Sequence, residues 1–255
     1  MDPLAYRPAD RYSDKVESYV RYRPSYPAEV VDLVERACGP GGCLADVGSG
    51  TGIFTRLALD RGLRVHAVEV NPEMRAAAEA WLGGEPRFVS VAGTAEATTL
   101  RDASVDAIVC AQAFHWFDPV RVVPELDRIL RPGGTIALVW NNRRLDADRF
   151  HVELEQVIAN GCPDYRGFQL ADVELSATSL ARLFPARRVS EHDFANHKRL
   201  DRAGLIGLCS SVSYCPPRGS ATYARLVAAL DALFDRHQAA GGVRLEYHVQ
   251  MFCLR

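Results

Sequence analysis

Apolar and polar positions along the chain sort into short apolar runs separated by amphipathic stretches. The runs at 44–47, 64–68, 87–91, 105–111 and 135–140 predict five strands. That at 105–111 is almost wholly apolar, which suits a strand covered on both faces. Between them, 53–61 places Ile53, Leu57 and Ala58 at helical spacing and stops at Gly62. Residues 72–82 predict a helix with Pro72 in its first turn and Asn71 as its N-cap. A further helix over 119–130 closes at Arg131-Pro132-Gly133-Gly134. Strands alternating with helices of this length form βαβ units and a parallel sheet.

Two regions stand outside the alternation. The N-terminal segment is rich in Tyr, Arg and Pro and leads into a helix over 27–37. After Trp140 the periodicity loosens, with helices predicted near 149–160, 171–184 and 221–239, and a loop at 161–167. Late strands are predicted at 187–196 and 243–254, the second alternating Leu245, Tyr247, Val249 and Met251 as a closing edge strand would. One domain is therefore expected over 1–255: an N-terminal lid at 1–39, a core at 40–140, a partly inserted helical cap within 141–240, and a closing strand at 243–254.

Composition narrows the function class. Of 255 residues 48% are hydrophobic and 24% charged, a globular profile, and a formal charge of −2 offers no basic field for a nucleic-acid backbone. No apolar stretch approaches the ~20 residues of a membrane span, and residues 1–15 are too polar for a secretory leader. Neither a nucleic-acid nor a membrane partner is expected. The seven cysteines form no C-x-x-C pair, and His192, His197 and His248 lack ligand spacing. A disulfide framework and a metal site are thus not expected, and a reducing cytoplasm is the default location. Oligomeric state is not readable.

The chemistry concentrates in Leu44-Ala45-Asp46-Val47-Gly48-Ser49-Gly50-Thr51-Gly52, where a strand enters and a helix leaves. Glycine permits positive φ and close backbone approach to a ligand, and a helix N-terminus offers free N–H groups. The spacing is G-x-G-x-G, not the G-x-G-x-x-G of dinucleotide folds. Asp46, ahead of the first glycine, would repel a pyrophosphate but suits an ammonium. Glu69 ends the next strand, where an acid in such units takes ribose hydroxyls. A nucleoside with an amino-acid tail and no phosphate satisfies both.

These residues resemble the class I S-adenosylmethionine-dependent methyltransferases. Val68-Glu69-Val70-Asn71-Pro72-Glu73-Met74 is similar to the family's second motif, and Gly93-Thr94-Ala95-Glu96 to its adenine-edge motif, although the family usually has Asp where Thr94 stands. Asp102 to Ala111 resembles the acid-led fourth strand, and Leu130-Arg131-Pro132-Gly133-Gly134 the turn into the fifth. The resemblance implies an α/β, Rossmann-like, seven-stranded, mostly parallel sheet with an antiparallel last strand and helices on both faces. It implies S-adenosylmethionine as cofactor and in-line methyl transfer to the O, C or N nucleophile of a small-molecule acceptor. Tyr19-Val20-Arg21-Tyr22-Arg23-Pro24-Ser25-Tyr26-Pro27 and Gln112-Ala113-Phe114-His115-Trp116-Phe117-Asp118 look like the small-molecule subgroup related to trans-aconitate and quinone-pathway enzymes, type 11 methyltransferases.

On this resemblance the cofactor would meet Tyr19, Arg23, Asp46, Gly48, Ser49, Gly50, Gly52, Glu69, Val70, Met74, Thr94, Ala95, Glu96, Gln112 and Ala113. Arg23 either reaches the methionine carboxylate or stacks on Tyr22 or Tyr26. His115, at the carboxyl end of a strand, is either a general base or part of an aromatic wall with Phe114, Trp116 and Phe117. Tyr12, Trp116, Trp140, Asn141 and Tyr214 are the candidates for the acceptor pocket; Arg143 and Arg144 read as a solvated face or as a pair steering an anionic acceptor. The rival functions are an NAD(P)-dependent oxidoreductase, which the loop spacing and Asp46 disfavour, and a non-catalytic S-adenosylmethionine-binding module.

Overall fold

A computed structural model of the chain describes residues 20–165 and 176–255. It runs α1 (Ala28–Cys38), β1 (Cys43–Val47), α2 (Ile53–Asp60), β2 (Arg64–Glu69), α3 (Pro72–Leu82), β3 (Phe88–Ala92) and β4 (Val105–Ala111). A single 3-10 turn, Phe114–Trp116, then leads into α4 (Pro119–Ile129), β5 (Leu130–Arg143) and α5 (Arg149–Gly161). The chain closes with α6 (Ala177–Leu183), β6 (Val189–Leu200), α7 (Arg202–Ser210), α8 (Ala221–His237) and β7 (Val243–Leu254).

The strands form one seven-stranded sheet in the order β3-β2-β1-β4-β5-β7-β6. β1 through β5 pair in parallel, and β7 lies antiparallel between β5 and β6. Strand order reverses between β1 and β4, and the crevice above their carboxyl ends is where such sheets take ligands.

Strand side chains alternate between faces, so a strand apolar throughout must lie between two covering layers. In β4, Ala107 and Val109 join Leu44, Val139 and Met251 beneath α1 and α2, contributing to a core with Val34 and Phe54. Ile108 and Cys110 turn the other way, against Leu126 and Ile129 of α4. A third cluster joins α5, α7 and α8 through Leu154, Ile158, Leu208 and Leu230, and includes Leu245 and Tyr247 of β7. This helical group caps the upper end of the sheet on the α1 side.

Asn71 caps α3 as its sequence position predicts, its side-chain oxygen accepting from the Met74 N–H at 2.8 Å. Several elements differ from the predicted ones. β5 begins at Leu130, opposite Val105, where a turn is expected, and β5 and β6 continue to Arg143 and Leu200 because β7 pairs with residues 136–143 of one and 189–200 of the other. Only part of the helix predicted over 171–184 lies among the described residues, as α6. α7 is not among the predicted elements, and its glycines, Gly204 and Gly207, weaken the helical signal. Gly207 is there because the Tyr22 ring lies against it; a Cβ at this position would sit 2.1 Å from that ring. Among the described residues no helix is long and apolar enough to cross a membrane.

The turn after β3 is held to α4 by one carboxylate. Glu125 accepts from the Thr98 N–H at 2.8 Å, the Thr98 hydroxyl at 2.5 Å and the Arg128 guanidinium at 2.8 Å. Arg128 foremost, against the opposing effect of desolvation, and then Thr98 hold its carboxyl down at about 2. A depressed acid stabilises the fold above its ordinary pKa and ceases to as pH falls through the lowered one. Glu125→Gln should therefore cost about 1–3 kcal/mol at neutral pH by urea unfolding, and the gap to wild type should shrink between pH 4.5 and 2. An undiminished gap at low pH would assign the loss to packing.

Candidate functional site

The loop after β1 is shaped by contacts that exclude side chains. Gly48 has φ +74°, and a Cβ there would lie 2.6 Å from the Ala113 Cβ and 3.2 Å from the Phe117 ring. Gly50 and Gly52 also take positive φ, and Gly52 forms the left-handed N-cap of α2. The Gly48 and Ser49 N–H groups donate to the Val68 carbonyl at 2.9 and 3.1 Å, which lays the loop across the end of β2.

Two carboxylates are built into this turn. Glu69 accepts from the Gly50 N–H through one oxygen and from the Asn71 N–H through the other, both at 2.7 Å. Burial raises its pKa, and those backbone N–H groups pull partly against the rise. Asp46, 1% exposed, accepts from the Thr55 hydroxyl at 2.6 Å through Oδ2. Its Oδ1 is buried with no hydrogen-bond partner among the described residues. Burial pushes the Asp46 carboxyl up to about 7, with the Glu69 charge adding to the rise. Neither acid is salt-bridged among the described residues, so the loop carries unneutralised acceptor capacity.

Above it opens a cavity of about 210 Å³. Its walls include Arg23, Asp46, Gly48, Ser49, Gln112, His115, Trp116, Asn141 and Tyr214, which the fold thus brings together. The N-terminal segment is tied across it by side chains donating to backbone oxygens. Lys198 Nζ reaches the Tyr22 and Arg23 carbonyls at 2.8 and 2.9 Å, and the Asn141 and Asn196 amides reach the Ser25 carbonyl at 3.0 and 2.8 Å. Arg23 donates to the Ser211 carbonyl at 3.1 Å, and Tyr26 meets Phe54 edge-on with centroids 5.3 Å apart. It is Arg21, not Arg23, that lies over the Tyr22 ring.

Gln112 occupies the left-handed region (φ +57°) at the end of β4, its amide donating to the Asn141 carbonyl at 2.9 Å. A non-glycine residue in that region is uncommon. His115 Nδ1 accepts from the indole N–H of Trp140 at 3.3 Å. Indole only donates, so the imidazole proton belongs on Nε2. Burial, aided by the Arg23 charge, lowers the His115 pKa to about 4 and keeps the ring neutral.

Other predicted residues fall elsewhere. Trp140 does not line the cavity: it is 1% exposed and packs on the opposite face of the sheet, edge-on to Phe252. The alternation of β5 sends Asn141 and Arg143 to the cavity face and Trp140 away from it. Met74 flanks the loop, its sulfur 3.5 Å from where a Gly50 Cβ would be. Val70 is 44% exposed, Thr94 is exposed, Ala95 is buried, and Glu96 accepts from the Asp118 N–H at 3.0 Å. Ala113 backs the loop against Gly48. Tyr12 and Tyr19 lie outside the described residues.

Arg143 belongs to the wall, although the sequence left its place open. Expected with Arg144 either on a solvated face or steering an anionic acceptor, Arg143 lines the cavity with a side chain only 14% exposed, as do Tyr247, Ile158 and Leu208. The available signal was its parity with Asn141 on one strand.

A methyltransferase-domain family model matches residues 45–138. An uncharacterized methyltransferase of Mycobacterium tuberculosis strain H37Rv is 35% identical over 241 residues, covering 92% of this chain and 91% of the relative. A Schizosaccharomyces pombe methyltransferase-like protein is 36% identical over 135 residues, about half of each chain (52% and 52%). Among solved structures, one from Anaeromyxobacter dehalogenans assigned as a type II methyltransferase superposes with a TM-score of 0.62 at 25% identity, covering 91% of this chain and 97% of the other. One from Anabaena variabilis, assigned to an antibiotic biosynthesis pathway, shares the fold at a TM-score of 0.61 and 21% identity, covering 89% and 98%.

The state of Asp46 is testable through stability. An acid whose folded pKa is raised burdens the fold progressively as pH climbs from its ordinary value towards the raised one. Asp46→Asn should therefore gain on wild type by up to a few kcal/mol between about pH 4 and 7 in urea unfolding, then level off. A constant difference across that range would mean that the folded Asp46 has an ordinary pKa.

Proposed function

The chain belongs to the class I S-adenosylmethionine-dependent methyltransferases, and from that premise we propose that it methylates a small molecule held in the cavity between the glycine loop and the helical cap. The single observation that carries the placement is the orphaned Asp46 Oδ1, a buried acceptor at the floor of that cavity. The donor set fits the cofactor. Asp46 would hold its ammonium, Glu69 its ribose hydroxyls, and Arg23 its carboxylate, while Gly48 and Gly50 leave the backbone bare beside it. Thr94, Ala95 and Glu96 would flank the adenine, with Gln112 and Ala113 below. When bound, S-adenosylmethionine supplies a methyl group on a positively charged sulfur, already activated for in-line displacement.

What remains for the protein is alignment and exclusion of water, and positioning of this kind supplies up to ~7–11 kcal/mol of a barrier. Tyr22 to Pro27, bound to the sheet and cap through Lys198, Asn141 and Asn196, serve as the lid. Cap residues within 141–240, Tyr214 among them, form the acceptor side, and Trp116 walls it. His115 acts as a neutral hydrogen-bond donor through Nε2. Its lone pair on Nδ1 is engaged by Trp140, so it does not serve as the general base.

A methyl-labelling experiment tests the proposal: purified protein and S-adenosyl[methyl-14C]methionine are incubated with a small-molecule extract. Label should pass to a low-molecular-mass product, and S-adenosylhomocysteine should bind by calorimetry. Glu69→Gln, which sets an amide N–H₂ against the Gly50 or Asn71 N–H, should weaken that binding by about 10–100-fold. Wild-type affinity in this variant would remove Glu69 from the seat, and label recovered only in macromolecules would overturn the small-molecule reading.

A further inference from the structure

The cavity has a second polar end, away from the glycine loop, that the cofactor seat does not use. Arg143 and Tyr247 stand directly opposite each other in the β5–β7 register and point to the same face of the sheet. Both line the cavity. Each is polar, largely buried and short of partners. The Arg143 guanidinium carries five N–H donors, and its hydrogen bond among the described residues is one contact of 3.3 Å to Glu155. The Tyr247 hydroxyl is buried, in a residue 3% exposed, with no hydrogen-bond partner among the described residues. Two donor groups turned into one recess ask for an acceptor with two oxygens.

Resting on the reading of this cavity as the methyl-transfer site, we propose that the acceptor is a carboxylate-bearing small molecule, its carboxylate bound between the Arg143 guanidinium and the Tyr247 hydroxyl. Arginine presents paired N–H groups in a planar fork that matches a carboxylate. Glu155 braces the guanidinium from one edge and is itself held by the Tyr165 hydroxyl, which leaves the remaining donors for a ligand. Its charge already offsets that of Arg143, so a dianion such as a phosphate monoester meets more repulsion here than a monoanion does. The rest of the acceptor faces Leu154, Ile158, Leu208 and Leu245, so its body is apolar. Solvated, Arg143 would be interchangeable with Arg144; buried opposite Tyr247, it is a specificity determinant.

Matched probes test the inference on the intact chain saturated with S-adenosylhomocysteine. Ligand-observed NMR titrations compare benzoate with benzamide and hexanoate with hexanamide. Each acid should bind at least about 10-fold more tightly than its amide, a difference of ~1.4 kcal/mol. Arg143→Gln should bring the acids down to the amides, Arg143→Lys should restore part of the preference, and Tyr247→Phe should weaken the acids several-fold while sparing the amides. Equal binding of acid and amide to wild type, which needs no variant to fold, would overturn the proposal. So would an acid preference surviving in Arg143→Gln, or a loss of S-adenosylhomocysteine affinity in that variant, which would put Arg143 in the cofactor seat. Failure of wild type to bind S-adenosylhomocysteine would instead remove the underlying methyl-transfer reading, and the direct calorimetric titration separates that result from the others.

Discussion

Two carboxylates buried against one tight turn, neither salt-bridged among the described residues, are the constraint from which the rest of this structure follows. An isolated buried charge is expensive, and a fold tolerates one only when hydrogen bonds or a ligand make up the difference. Glu69 meets part of that cost through two backbone N–H groups, and in doing so fixes where the loop runs. Asp46 meets less of it: one hydroxyl from Thr55, one oxygen left alone, and a carboxyl raised to about 7 by burial. The glycines follow from the same demand, because Gly48 must pass within contact distance of Ala113 and Phe117 for the loop to lie against the sheet. A ligand with an ammonium and vicinal hydroxyls completes this arrangement, whereas one with a pyrophosphate opposes it.

The cavity over the loop is made by elements far apart in the chain. Lys198 and Asn196 of β6, Asn141 of β5 and the Ser211 carbonyl after α7 all meet the segment Tyr22 to Ser25. These contacts join the lid to the second half of the sequence, so the lid's position depends on the closing strands. Gly207 shows the same dependence sterically, since it admits the Tyr22 ring to the surface of α7. The site is therefore divided by origin: its floor is local to the β1–β2 unit, and its walls are assembled by long-range packing.

That division explains what was legible in the sequence. Asp46, the glycines, Glu69 and the Asn71 cap are short-range patterns whose geometry is set by neighbours in the chain, and so are the five parallel strands. Strand parity alone, with no difference in composition between the two faces, marks where each residue of β5 points. Trp140 has the composition of a pocket aromatic and lies on the opposite face, engaged with His115; Arg143 has the composition of a solvated residue and lines the cavity. One residue of parity separates a core position from a site position in a strand. His115 is the complementary case. Its place at the end of β4 was evident from sequence, but its proton depends on an indole 25 positions away that supplies the tautomer.

The most direct measurement of the central claim is the proton balance of S-adenosylhomocysteine binding, by calorimetry near pH 7 in buffers of different ionisation enthalpy. A cation seated against Asp46 favours its carboxylate form, so a group poised at about 7 must lose its proton on binding. The predicted result is release of about half a proton per ligand bound, disappearing in Asp46→Asn. Binding with no proton released, or a release unchanged in that variant, would contradict the placement of the ligand's ammonium on this loop.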